Sequence, residues 1–348
     1  MSGPIVIIGC GYIGAAVARA GLAAGRQVRV CARSTGRLGP LGELGAEVKY
    51  LDAAMPKQLP QIMSGMRGGL CLYSVPPIGS IPPGDGPRKA IQAAAGAGIG
   101  CFVHLSSSGL YGHDPDDEAW IDDTTEIDLH DTAMAGVRTD EDAVRTSIHT
   151  IRSVILRLAP VYGPGRGVRA RLRKGDYRLL DGGDHAISRL HIDDAVQVIF
   201  AAEARGPHGA TYLCADDEPT TQKAYAEFLC ARLGLPLPRS RALLEPGKPR
   251  GAHRNRRVRA DRMKRELEVT LRYPTYREGE AAIEAAEAVA EGRAVAAPTE
   301  SPAPITAAPA PGEPAAAASD AAPAAVAAAP SEPSPAAAPT DPAPTPAS

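Results

Sequence analysis

Ten residues near the N-terminus constrain the fold more than any other stretch of this chain. Ile5-Val6-Ile7-Ile8 is an unbroken β-branched run, Gly9-Cys10-Gly11-Tyr12-Ile13-Gly14 follows at once, and an alanine-rich segment then runs to Gly25. This is a strand, a G-x-G-x-x-G turn and a helix in direct succession. In such a unit the first glycine allows the tight turn and the second lets the backbone approach a pyrophosphate. The third lets the helix pack close on the strand, while the free N–H groups of the helix start face the anion. A glycine-rich turn without a ligand is the alternative. The flanking strand and helix favour a dinucleotide held by Gly9, Gly11, Tyr12, Ile13 and Gly14.

The same alternation continues along the chain. Val28–Cys31, Glu47–Tyr50, Leu70–Val75 and Cys101–Leu105 read as strands, as do Ser153–Leu158 and Thr211–Leu213. Helices are expected over Gly14–Ala24, Asp194–Ala204, Gln222–Leu233 and Ala260–Glu268. Apolar strands joined by helices imply a parallel sheet covered on both faces, and right-handed crossovers make it a doubly wound α/β (Rossmann) fold. Residues 1–165, with 186–214 contributing, would form the dinucleotide-binding domain. Residues 166–280 would mainly cover the substrate, 281–297 would form a terminal helix, and 298–348 a disordered tail.

At the end of the second strand an NAD-binding chain usually carries an acid for the ribose hydroxyls. Here Arg33 and Ser34 stand there instead. A guanidinium pairs with a 2′-phosphate, which favours NADP over NAD as the cofactor; a surface arginine at a strand end is the plain alternative. Asp52, after the third strand, would accept from the adenine amine or cap a helix. Val75-Pro76-Pro77 closes the fourth strand where the chain passes the nicotinamide-side ribose. Ser106, Ser107 and Ser108 place three hydroxyls at the carboxyl end of the fifth strand, the edge at which open α/β sheets bind ligands.

Composition separates two objects. The 348 residues carry 38 Lys+Arg against 40 Asp+Glu, a formal −2. From Pro298 onward, however, 51 residues hold 20 Ala, 14 Pro, five acids and no Lys or Arg. Residues 1–297 therefore carry 38 basic and 35 acidic side chains, a formal +3, which suits an anionic dinucleotide. The Ala/Pro tail buries too little apolar area to fold. Leu235–Arg259 is rich in Arg, Pro and Gly and reads as loops; without interleaved aromatics it is a solvated or substrate-facing surface rather than a nucleic-acid patch. The six cysteines are scattered without a close pair, so neither a zinc site nor a disulfide framework is suggested. No charged and apolar leader precedes Ile5, and no run reaches the ~20 apolar residues of a membrane span. A cytoplasmic protein is expected, with a small-molecule substrate, no nucleic acid and no membrane partner, and a homodimer as one form it could take.

Five segments together resemble the short-chain dehydrogenase/reductase superfamily, in its extended or atypical NAD(P)-dependent epimerase/dehydratase-like branch. They are Gly9–Gly14, Ser106–Gly112, Leu156–Gly165, Ser188–Asp194 and Leu271–Gly279, in the family's order. The resemblance implies an oxidoreductase or an epimerase/dehydratase-like enzyme acting on a carbonyl or hydroxyl of a small molecule, sugar nucleotides among them. In that family a Ser and a Tyr-x-x-x-Lys pair handle the substrate's oxygen. The Ser falls on Ser107, and the Tyr and Lys positions fall on Met134 and Arg138. Methionine cannot exchange a proton, and arginine stays charged. Atypical members often lack the pair.

Three readings follow. Another group supplies acid/base chemistry, with Tyr111, Tyr162, His191 and His113 nearby in the family layout. Alternatively the chain binds NADP(H) without turnover, as a sensor or scaffold, or a spatially equivalent Tyr comes from elsewhere. Ser107, Tyr111 and Arg138 are the catalytic candidates, with Ser106 on the cofactor. No metal site is expected. His191-Ile192-Asp193-Asp194 looks like a ligand cluster, but Asp193 or Asp194 would cap a helix starting at Ala195. The acidic run His113–Glu118 reads as a solvated loop at the site entrance.

Overall fold

A computed structural model describes residues 3–112, 119–147, 151–242 and 255–291. The expected tail at 298–348, the loop His113–Glu118, residues 243–254 of the basic stretch and the end of the 281–297 segment lie outside the described residues.

Seven parallel strands form the central sheet: β1 (Ile5–Ile8), β2 (Val28–Ala32), β3 (Glu47–Tyr50), β4 (Leu70–Tyr73), β5 (Cys101–Ser107), β6 (Ser153–Leu158) and β7 (Ala210–Cys214). Their order is β7-β6-β5-β4-β1-β2-β3, so the direction of winding reverses between β1 and β4. That is the doubly wound fold expected from the sequence. All four β1 residues are buried. Ile5 and Ile7 join one core and Val6 and Ile8 the other, because successive side chains leave opposite faces of a strand.

Two helices cover each face. On one side lie α1 (Tyr12–Ala23) and α4 (Ile192–Arg205), packed through Val17, Ala18, Ala195, Val198 and Ile199. On the other lie α2 (Asp85–Gly96) and α3 (Ala135–Arg145), which supply Ala90, Ile91, Ala94 and Val144. A third, smaller core of Tyr162, Tyr225, Leu229, Tyr276 and Ile283 joins α5 (Gln222–Leu233) to α6 (Tyr276–Ala290).

The expected strands are all present, Ile5–Ile8, Glu47–Tyr50 and Ser153–Leu158 with the expected bounds and the others with shifted ends. β5 runs two residues further, to Ser107, and β4 stops at Tyr73, short of Val75 and the prolines behind it, which cannot donate to a ladder. α1 begins at Tyr12 rather than Gly14, with Gly11 as its N-cap.

α3 is fastened to the sheet by charge. Glu141, fully buried, accepts from Arg157 Nε (2.9 Å) and Nη2 (2.7 Å), from Arg145 Nη2 (2.5 Å) and from Ser106 Oγ (2.6 Å). Arg157 Nη1 donates to the Tyr111 hydroxyl at 2.6 Å. Burial pushes the Glu141 carboxyl up, but the bonds and charge of Arg157, with Ser106 and Arg145, outweigh it and hold the group below its usual range. Glu141→Gln should therefore leave a buried guanidinium uncompensated and destabilise the fold by about 3–5 kcal/mol. Urea denaturation measures this, and a loss under about 1 kcal/mol would show that the pair does not hold α3.

Candidate active site

The glycine-rich turn after β1 is built as its spacing requires. Gly9 has φ +83°, and a Cβ there would stand 2.7 Å from Val75 Cγ2 and 2.9 Å from the Ser74 carbonyl. A Cβ on Gly14 would stand 2.9 Å from Ile7 Cγ2, so only glycine lets α1 lie this close to β1. Gly11 is different. A Cβ there meets nothing nearer than the Gly9 carbonyl at 4.0 Å, and α1 starts without a side-chain cap. An open backbone and an uncapped helix N-terminus are what a pyrophosphate needs, so these residues fit a dinucleotide.

Around this turn the other expected cofactor residues line up along the carboxyl edge of the sheet. Arg33 and Ser34 follow β2 and are both exposed. Asp52 follows β3, and its Oδ1 accepts from Ala54 N at 3.0 Å, so it caps its own turn. Val75 leans on Gly9.

At the carboxyl ends of β4, β5 and β6, beside α1, lies a cavity of about 230 Å³, walled by Ile13, Ser74, Leu105–Gly109, Leu158–Val161, Arg166 and Arg256. Two adjacent serines face it with opposite polarity. Ser106 gives its proton to Glu141 and so offers lone pairs. Ser107 Oγ accepts from Gly109 N at 2.9 Å and keeps its own proton to donate. Met134 lies beside Gly109 of this wall. A Cβ on Gly109 would lie 2.9 Å from both Met134 Cε and Ser107 Oγ. The thioether thus stands next to Ser107, where the resemblance sets a tyrosine.

The other expected catalytic groups point elsewhere. Arg138, on α3, donates from Nη1 to the Asp128 carbonyl at 3.2 Å. Tyr111 is buried, with its hydroxyl on Arg157 and the same guanidinium 5.2 Å from its ring centroid. Tyr162 is buried against Gly279, and among the described residues its hydroxyl has no hydrogen-bond partner. His191 packs between Tyr162 and Tyr273, with ring centroids 5.3 and 4.3 Å away. None of Tyr111, Tyr162 and His191 lines the cavity. His113 lies outside the described residues.

One expectation is corrected at the start of α4. The helix begins at Ile192, three residues before Ala195, and its cap is His191, whose Nδ1 accepts from Asp193 N at 3.2 Å. Asp194 instead turns back to accept from Arg272 N (2.6 Å) and Tyr273 N (3.1 Å), tying down the segment before α6. Burial lifts its carboxyl to about 7 against the pull of those two N–H groups. Among the described residues no His, Cys, Asp or Glu cluster could hold a metal, and all six cysteines are free and buried.

Two features escaped the sequence. One is the Glu141–Arg157–Tyr111 network, whose members carry no motif spacing. The other is Arg166, whose guanidinium lies 5.1 Å from the Tyr12 ring centroid, while the Tyr12 hydroxyl donates to the Pro164 carbonyl at 3.1 Å. The 164–166 turn is thereby laid against the first residue of α1, with a cation beside the helix start.

Strand order, glycine turn and serine-lined cavity together are those of a Rossmann-fold protein. Residues 84–215 match the model of the NAD dependent epimerase/dehydratase family. A conserved protein of unknown function from Silicibacter pomeroyi superposes with a TM-score of 0.70 at 29% identity, over 82% of this chain and 99% of that one. The dTDP-glucose 4,6-dehydratase DesIV of Streptomyces venezuelae, solved with NAD and TYD bound, gives 0.68 at 19% identity, over 80% and 94%. A 3-diazoavenalumate denitrifying reductase from a Streptomyces species is 32% identical over 96 residues, 26% of this chain and 31% of that protein's length. Among the described residues no helix is long and apolar enough to cross a membrane.

His191 offers a test of this geometry through pH. Burial, with Arg272 adding, pushes its imidazole from 6.5 down to about 4. The unfolded chain binds this proton first, so the wild-type protein loses stability as pH falls from about 6.5 toward 4, by up to roughly 3 kcal/mol. His191→Asn keeps a cap acceptor but no titration. Its stability deficit relative to wild type at pH 7.5 should shrink by pH 4.5; a constant gap in thermal melts would contradict the buried neutral imidazole.

Proposed function

We propose that the chain is an NAD(P)H-dependent oxidoreductase that reduces a small organic acceptor at the Ser107 cavity, with NADP(H) preferred over NAD(H). What carries the reading is that Ile13, from the glycine turn, and Ser107, with a proton to donate, wall the same cavity. A bound nicotinamide would supply the hydride. Ser107 would donate to the acceptor's oxygen, and Ser106, turned toward Glu141, would accept from an N–H or O–H on the ligand's other side. Arg166 and Arg256 set a positive potential over an oxygen that gains charge.

Met134 favours reduction over epimerisation or dehydration. Run on a bound nicotinamide, those reactions begin by oxidising a hydroxyl, whose proton must pass to a base, and a thioether can neither take nor give one. Reduction needs only a hydride and a stabilised oxyanion, with the last proton drawn from solvent. The substrate could be a sugar nucleotide, as for the dehydratase above, or another small anion, as for the reductase. Met134 and Arg138 also favour a second reading, a dinucleotide-binding protein without turnover.

Fluorescence titration with NADPH and NADH tests the cofactor. Tighter binding of NADPH, lost in part on Arg33→Ala, is expected; tighter NADH binding would refute the role given to Arg33. Gly11→Ala should weaken binding of either while changing stability by less than about 1 kcal/mol, since its Cβ meets only the Gly9 carbonyl, at 4.0 Å. Single-turnover absorbance with a panel of carbonyls and sugar nucleotides separates the two readings. Oxidation of bound NADPH by any member supports the reductase, and silence across the panel despite tight binding supports the second reading.

A further inference from the structure

Beyond β4 the chain runs Pro76-Pro77-Ile78-Gly79-Ser80-Ile81-Pro82-Pro83 before α2 begins at Asp85. Four prolines in this run fix φ at half its positions and remove their N–H groups, which makes a stiff wall poor in donors. The wall bounds a cavity of about 580 Å³, completed by Tyr73, Gly86, Pro87 and Asp140. It shares no residue with the wall of the Ser107 cavity. Its size is that of a small-molecule site, and its make-up is the usual one of apolar walls with a few convergent polar groups.

Two polar groups converge here without a full set of partners. Asp140, on α3, is 5% exposed; its Oδ1 accepts from Gly84 N at 2.8 Å, and its Oδ2 has no hydrogen bond among the described residues. Tyr73 is 2% exposed, and its hydroxyl likewise has none. A Cβ on Gly86 would stand 2.4 Å from that hydroxyl, so glycine keeps the polar end of the cavity clear. No Lys, Arg or His lines the space. Burial raises the Asp140 carboxyl against the pull of Gly84 N–H, the one group among the described residues that compensates its charge. A carboxylate nearly removed from water gains most from a ligand that brings both positive charge and N–H donors.

We propose that this cavity is a second binding site, for a compact aromatic amine. The ring lies against the proline wall and the ammonium donates to Asp140 Oδ2, with the Tyr73 hydroxyl as a further partner. Its occupant would also bear on the reacting site. Pro77 packs on Gly136, where a Cβ would stand 2.9 Å from Pro77 Cβ, two residues from Met134 beside the Ser107 wall.

The test is calorimetric titration of the full chain with tryptamine, beside the neutral 3-methylindole and the anionic indole-3-acetate. Saturable one-to-one binding of tryptamine is expected, about tenfold tighter than 3-methylindole, with no binding of indole-3-acetate. Asp140→Asn keeps an acceptor for Gly84 N–H and should fold; it should weaken tryptamine about tenfold and leave 3-methylindole and NADPH unaffected. Tyr73→Phe, which removes only the hydroxyl, should weaken tryptamine severalfold. The proposal fails if tryptamine does not saturate at millimolar concentration, if neither variant changes its affinity, or if NADPH displaces it. It fails as well if sedimentation shows a dimer whose formation excludes the probe.

Discussion

The buried pair of Glu141 and Arg157 is the interaction on which the site's shape depends. Arg157 belongs to a strand that is buried throughout, and Glu141 to the helix that covers it. Neither charge could stand there alone, since an isolated ion in such surroundings costs several kcal/mol. Together they satisfy each other with two parallel bonds, and the remaining capacity is spent on Ser106, Arg145 and Tyr111. The bond to Ser106 orders a residue of the cavity wall, because the Ser106 hydroxyl is held by its donation to Glu141. Tyr111 is drawn away from the reacting space and becomes part of the frame. The pair thus fixes the register of α3 against β5 and β6, and with it the place where Met134 meets Ser107.

A second constraint comes from the sheet order. Winding reverses between β1 and β4, so the loops after these strands part and leave a crevice at their carboxyl ends. Gly9 and Val75 close the bottom of that crevice, and β5, longer than its neighbours, carries Ser106 and Ser107 up to its rim. The anion end of the crevice is the uncapped start of α1. Arg166 reaches it from the far side of the sheet's sequence, stacked on Tyr12, and adds a charge that the helix alone does not have.

The parts of the fold legible in the sequence share one physical cause. β1 and β4 are buried on both faces, so each appears as an unbroken apolar run, and the turn after β1 announces itself by glycines that the packing cannot replace. The helices α2 and α3 were silent for the opposite reason. α2 opens Asp85-Gly86-Pro87, which reads as a turn, and α3 buries Asp140 and Glu141 beside Ala143 and Val144. A helix whose buried face is half acidic shows no apolar stripe, and its partners lie on other strands and loops far along the chain. The same holds for His191. An imidazole is a rare cap, so the acids that follow it in sequence seemed better placed to start the helix, yet Asp194 finds its donors in the backbone of Arg272 and Tyr273.

The chemistry open to the cavity follows from what walls it. Hydroxyls, guanidinium groups, apolar side chains and one neighbouring thioether include nothing that changes protonation near neutral pH. Such a surface stabilises negative charge by fixed dipoles and cations rather than by moving a proton. On the proposed reading, the developing charge on a reduced oxygen is met by the Ser107 proton and by the field of Arg166 and Arg256. Neither contribution depends on titration, so the chain's own groups would leave the hydride step nearly independent of pH around neutrality. A tyrosine in place of Met134 would couple that step to a proton. The methionine uncouples it, at the cost of every reaction that must begin by deprotonating a hydroxyl.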